Sequence, residues 1–232
     1  MKRSFKAIAL TALLLCAAVF ITACSAEKIE PNEVEPNGLV NVGVTPDFTD
    51  PIFLEAVYEA VGKTAPEEIL STDVAKITEL NVSGKDIKSL AGLEHFTGLE
   101  YLKCGYNQLT ALPELPSSLQ FLSCSNNLLT EIPALPTDLS NLVCDNNQLT
   151  ALPELPSSLK TLFCDNNQLT SLPDLPATLK ELACSNNQLT DLDVTGLPLE
   201  VFEYGKNKID EVIGAVGDWD PVSDWDALAA LR

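Results

Sequence analysis

Residues 101–120, YLKCGYNQLTALPELPSSLQ, are followed by 121–140, FLSCSNNLLTEIPALPTDLS, and 141–160, NLVCDNNQLTALPELPSSLK. Residues 161–180 and 181–200 continue in the same frame, so the chain repeats itself at a strict period of 20. Leu102, Leu122, Leu142, Leu162 and Leu182 form one column, and Leu109, Leu129, Leu149, Leu169 and Leu189 another. Cys104, Cys124, Cys144, Cys164 and Cys184 form a third, and Asn107, Asn127, Asn147, Asn167 and Asn187 a fourth. Self-similarity at such a period marks a solenoid, in which each unit buries its apolar face only against its neighbours. A single unit copied along the chain also sets no constellation of reactive groups apart. The expectation is a non-enzymatic protein with no catalytic residues and no cofactor.

Each column has a physical reading. The stretch LxxLxC is short and sends alternate side chains to opposite faces, as a strand does. One strand per unit, always in one direction, predicts a parallel sheet. Asn at the ninth position leaves the strand and can satisfy backbone groups of a buried turn. Pairs of Pro three residues apart, such as Pro113 and Pro116 or Pro173 and Pro176, exclude a helix and favour an extended, polyproline-like return. Twenty residues leave no room for a long helix in any case.

The unit from Leu159 to Thr178, LKTLFCDNNQLTSLPDLPAT, resembles a bacterial leucine-rich repeat with Cys in the third apolar position of the strand. A sixth unit carries Leu199, Phe202, Tyr204, Asn207 and Ile209 in register, and a degenerate leading unit before the five carries Ile77, Leu80, Val82, Ile87, Leu90, Leu93 and Phe96. The resemblance spans 77–213. It implies a leucine-rich repeat solenoid with short parallel β-strands on the concave face and an extended convex side. The Asn column then continues to Asn207. The fifth unit departs from the pattern, reading DVTGLP after Leu192, so its return path should differ.

Residues 46–76 read as a small helical N-terminal cap. Asp50 and Pro51 make an N-cap and first-turn pair, apolar residues from Ile52 to Val61 recur at helical spacing, and Gly62 is placed to end the helix. A second short helix would start at Ser71 or Thr72. The cap with the degenerate leading unit is similar to the N-terminal part of internalin-like surface proteins. Residues 214–232 read as a C-terminal cap or acidic tail. Their two Asp-Trp-Asp triplets suit a short helix covering the last unit; the sharper alternative, a calcium site, lacks a Gly-centred loop.

At the other end, Lys2, Arg3 and Lys6 precede an apolar run from Ala7 to Val19, the layout of an export signal. Ile21, Thr22, Ala23 and Cys24 resemble a bacterial lipobox. That resemblance implies a signal peptide over 1–23, lipid (palmitate included) on Cys24 and a membrane anchor. The alternative is an ordinary signal cut near Ala26. Residues 24–45, rich in Glu, Pro, Asn and Gly, read as a flexible acidic tether. The expected location is the bacterial cell envelope, lipid-anchored and surface-exposed.

Losing Lys2, Arg3 and Lys6 leaves 11 basic against 33 acidic residues, a net charge of −22. Such a chain repels nucleic acid and favours a basic protein or peptide. Of seven cysteines, Cys16 leaves with the signal and Cys24 is the lipid site. The other five read as a buried column of small hydrophobes. Neighbouring disulfides or a thiolate metal site are the alternatives, but five is odd and a spacing of 20 matches no metal motif. His95, the one His, has no nucleophile set beside it and reads as a turn residue. The LPxLP return also resembles secreted ubiquitin-ligase effectors. Those need a separate Cys-bearing domain, whereas about 20 Cys-free residues follow the last unit here.

The remaining strand positions should face the concave side, in columns roughly 34 Å long at about 4.8 Å per strand. These positions change at every unit while the core columns do not. The candidate partner-binding residues are Tyr101, Lys103, Tyr106, Phe121, Val143, Asp145, Thr161, Phe163, Asp165 and Glu181. Tyr101, Tyr106, Phe121 and Phe163 are expected to be exposed, and Asp145 and Asp165 to meet a basic group. Exposed aromatics concentrate where proteins bind proteins. The expected function is recognition or adhesion through this face; the alternative is an envelope spacer without a specific ligand.

Overall fold

The computed structural model describes residues 41–214. The expected signal peptide, Cys24, most of the tether and nearly all of the C-terminal cap lie outside the described residues.

Seven three-residue strands follow one another along the solenoid: β1 (Glu79–Asn81), β2 (Tyr101–Lys103), β3 (Phe121–Ser123), β4 (Asn141–Val143), β5 (Thr161–Phe163), β6 (Glu181–Ala183) and β8 (Val201–Glu203). All pair in parallel, in the order β1-β2-β3-β4-β5-β6-β8, with equivalent residues of successive units opposite one another. The central Leu of every strand from β2 to β6 is fully buried, as are all five Cys. One core runs from Val44 in the cap to Phe202 in the last full unit.

The turn after each strand is held by the Asn column. Asn147 Nδ2 donates to the carbonyls of Cys124, Cys144 and Asp145, and its Oδ1 accepts from Leu129 N. Asn127, Asn167 and Asn187 repeat the pattern. Asn207 makes a shorter version with Cys184 O, Tyr204 O and Leu189 N. One residue earlier, Tyr106, Asn126, Asn146, Asn166, Asn186 and Lys206 lie at φ 54–56°, in the left-handed region. Asn tolerates that region better than most residues, which accounts for its use in four of these six turns. A hydroxyl ladder, missed in the sequence, ties the return to the strand. Ser118, Ser158 and Thr178 each donate to two carbonyls of the preceding unit.

The Pro-bearing returns form no strand. In the fifth unit, where LPxLP is lost, β7 (Leu192–Asp193) forms instead and pairs in parallel with β9 (Val212–Ile213) of the sixth.

At the N-terminus, α1 (Pro51–Val61) packs Phe53, Ala56 and Val57 inward and ends at Gly62, φ 69°. Asp50 Oδ1 caps it by accepting from Ile52 N and Phe53 N, and Oδ2 accepts from Lys88 N and Ser89 N of the degenerate leading unit. One carboxylate thereby joins cap to solenoid. A second helix, α2 (Ser71–Val74), follows. The ordered cap starts earlier than position 46. Gly43 bridges Leu70 and Val44 is 1% exposed, so the last residues assigned to the tether are part of the fold.

Candidate binding face

The third and fifth positions of each unit do share the sheet face opposite the Leu and Cys columns, but the face is not uniformly open. At its N-terminal end Tyr101 is 42% and Tyr106 67% exposed, Lys103 is exposed and Phe121 half-buried. Tyr101 stacks on Phe121 with ring centroids 6.2 Å apart and planes 26° from parallel. Lys103 Nζ lies 5.7 Å from the centroid of the Phe121 ring, within cation–π range. Parallel pairing brings these groups together, because Tyr101 faces Phe121 across the β2–β3 register.

Further along, the expectation of exposure fails. Phe163 is 0% exposed, Val143 1%, Thr161 4%, and Asp145 and Asp165 1% each. Val143, Phe163 and Ala183 pack rung on rung into a second apolar cluster, with Phe121 and Val201 against its ends. Thr161 is spent in a polar row: Asn141 Nδ2 donates to its Oγ1, which donates to Glu181 Oε2. Ser140 Oγ donates to Asn141 Oδ1 at the start of the same row. Asp145 Oδ1 accepts from Asp165 N, and Asp165 Oδ1 accepts from Ser185 N. Each carboxylate thus caps a backbone N–H in the next unit, which is a structural use that the sequence reading did not foresee. Glu181 stays half-buried. The sequence signal for these roles was a polar residue repeating in neighbouring units at one position of the repeat.

The cysteine column consists of free thiols. Burial pushes the Cys104 thiol up to about 12, and the other four are likewise raised by burial first and by neighbouring carboxylates or thiols second. Protonated thiols are poor nucleophiles and poor ligands. Cys144 Sγ donates to Phe163 O at 3.4 Å. His95 Nε2 lies 2.8 Å from Asp47 Oδ2, in a short turn against the cap, away from the concave face.

No family model matches the chain, and neither does any curated protein. Among solved structures, YopM, a leucine-rich effector of Yersinia pestis, is 34% identical over 69% of this chain, with a TM-score of 0.58. The chain spans only 42% of the length of YopM. The leucine-rich repeat domain of a Shigella effector is 31% identical over 77% of this chain and 89% of that one, with a TM-score of 0.57. The chain belongs to the bacterial leucine-rich repeat proteins. Internalin C2 of Listeria monocytogenes shares the fold at 21% identity, covering 83% of this chain and 94% of that one with a TM-score of 0.57. Within this leucine-rich repeat protein, the variable concave positions divide into an open aromatic end and a closed middle.

Proposed function

We propose that this leucine-rich repeat protein is a non-enzymatic recognition module, held at a bacterial cell envelope by lipid on Cys24. It binds a protein or peptide through the N-terminal end of its concave face. The observation that carries this reading is the Tyr101–Phe121 stack with Lys103 and Tyr106 beside it. Solvent-facing aromatics with a cation are the composition of interface hot spots. The likeness to effector proteins of Yersinia and Shigella supports an interaction role, and the acidic chain favours a basic partner.

The test places a photo-crosslinking side chain at Tyr106, with Gln148 as an exposed control site on the turn edge. The expected result on intact cells is one discrete adduct from position 106, lost when Tyr101→Ala and Phe121→Ala are combined in a chain that still folds. A ladder of adducts equal at both sites, or none, refutes the concave-face reading. Protease shaving of the same cells tests the location separately. Digestion of the solenoid on intact cells supports surface exposure, and full protection until the envelope is opened refutes it.

A further inference from the structure

The place where the repeat breaks has a character of its own. Strand β7 pairs on one side only, with β9. Val194 N donates to Ile213 O at 2.9 Å, in a ladder that sets Leu192 opposite Val212 and Asp193 opposite Ile213. In a parallel strand, alternate residues direct their N–H and C=O to opposite edges, so those of Asp193 point away from β9. On that side runs the return of the fourth unit, whose Pro173 and Pro176 have no N–H to offer. Among the described residues no backbone hydrogen bond joins the two.

A cavity of about 410 Å³ lies between them, lined by Leu172, Leu175 and Leu197 with Asp174, Asp191 and Asp193, and β9 contributes nothing to it. That volume lies within the roughly 300–1,000 Å³ of ligand sites. An open strand edge at the wall of a cleft lined by both leucine and aspartate is the geometry of strand addition. There the main chain of an extended segment supplies affinity, and alternate side chains enter pockets.

We propose that this groove on the return side, separate from the concave face, accepts an extended peptide segment of a partner protein by pairing with the free edge of β7. The segment carries leucine-like side chains on the face toward Leu172 and Leu175 and basic residues toward the three carboxylates. The site exists because DVTGLP follows Leu192 where PDLPAT follows Leu172 in the fourth unit. In each of the four units from 101 to 180, proline removes donors that a strand edge needs.

The probe is the capped peptide Lys-Leu-Lys-Leu-Lys, titrated into the mature chain and followed by backbone amide shifts and hydrogen exchange. The expected result is saturable shifts over 191–195 and at least about tenfold slower exchange of the Asp193 amide, the scale of a closed hydrogen bond. A peptide N-methylated on its central residues, and the acidic analogue Glu-Leu-Glu-Leu-Glu, should fail. Asp191→Asn with Asp174→Asn should weaken binding by about fivefold, as two exposed charge pairs do. Equal binding of the N-methylated peptide overturns the proposal, because main-chain pairing is then absent. So does an Asp193 amide already protected without peptide, since the edge is then taken. Shifts confined to Tyr101, Lys103 and Phe121 also overturn it, while leaving the concave-face reading standing.

Discussion

Replacing Asn147 by Ala tests the turn ladder at its centre. The side chain makes four bonds, and the consequence of losing them differs from bond to bond. Cys124 O keeps a donor in Asn127, Cys144 O keeps one in Asn167, and Asp145 O keeps Asn126 N. Leu129 N loses its side-chain acceptor, Asn147 Oδ1, in a fully buried turn. An orphaned buried donor costs about 1–3 kcal/mol, and each satisfied bond lost adds about 0.5–1.5 kcal/mol at most. The expected loss is about 3 kcal/mol. With a urea slope of about 3 kcal/mol per molar, the unfolding midpoint should fall by about 1 M. Asn207→Ala, in the half-buried terminal turn, should lose about half as much, because water can replace the missing partner. Urea titration by circular dichroism measures both. A fall in Asn147→Ala no larger than that of exposed Gln148→Ala would refute the argument that the ladder satisfies buried backbone.

Three further outcomes follow from the same geometry. Phe163→Ala, in the closed middle of the concave face, should destabilise by about 3 kcal/mol, whereas Tyr101→Ala at its open end should cost under about 1 kcal/mol; equal losses in urea would mean that the two positions are equally exposed. Burial disfavours the charge on Asp50, yet the N–H groups of Lys88, Phe53, Ile52 and Ser89 outweigh it and hold the carboxyl below its ordinary 3.8. A lowered folded value means that its stabilisation is full above the unfolded value and is lost as pH falls through the folded one; melting curves from pH 6 to pH 2 should therefore steepen below about pH 4 in the parent and flatten in Asp50→Asn. The five column thiols should resist a thiol reagent in the folded chain carrying Cys24→Ser and all react in denaturant; fast labelling of any one when folded would contradict its burial.

How far the fold was legible follows from what a period can encode. The Leu, Cys and Asn columns are read directly, because every copy of a column performs the same task and repetition makes the task visible. The strand face of Phe163 was legible from alternation, but alternation gives the face and not its openness. Whether Val143, Phe163 and Ala183 close on one another depends on side-chain size in three adjacent units, a relation across 40 residues that no local pattern states. Asp145 looked like a ligand for a basic group because a carboxylate in a turn is usually exposed. Its bond to Asp165 N depends on register to the next unit. The start of the cap at Gly43 was hidden in a stretch whose overall composition is that of a tether.

The regular columns also limit where binding can occur. In units two to five the ninth-position Asn, the buried Leu and the Cys are consumed by the ladder, and the polar rows of Asn141, Thr161, Asp145 and Asp165 are consumed along with them. A group that satisfies its neighbour cannot satisfy a partner without a cost of the same order. What remains available is what breaks a column: Tyr106 where four other turns have Asn, the aromatic pair Tyr101 and Phe121 where later units have Asn141 and Thr161, and the non-proline return at Leu192–Asp193. The two surfaces proposed here lie at those departures, near opposite ends of the solenoid and on opposite sides of its core. That separation predicts independent action. Tyr101→Ala should leave peptide binding at β7 unchanged, and Asp191→Asn should leave crosslinking at position 106 unchanged. Mutual loss would mean that the two sites report one binding event, and the assignment of one of them would then be wrong.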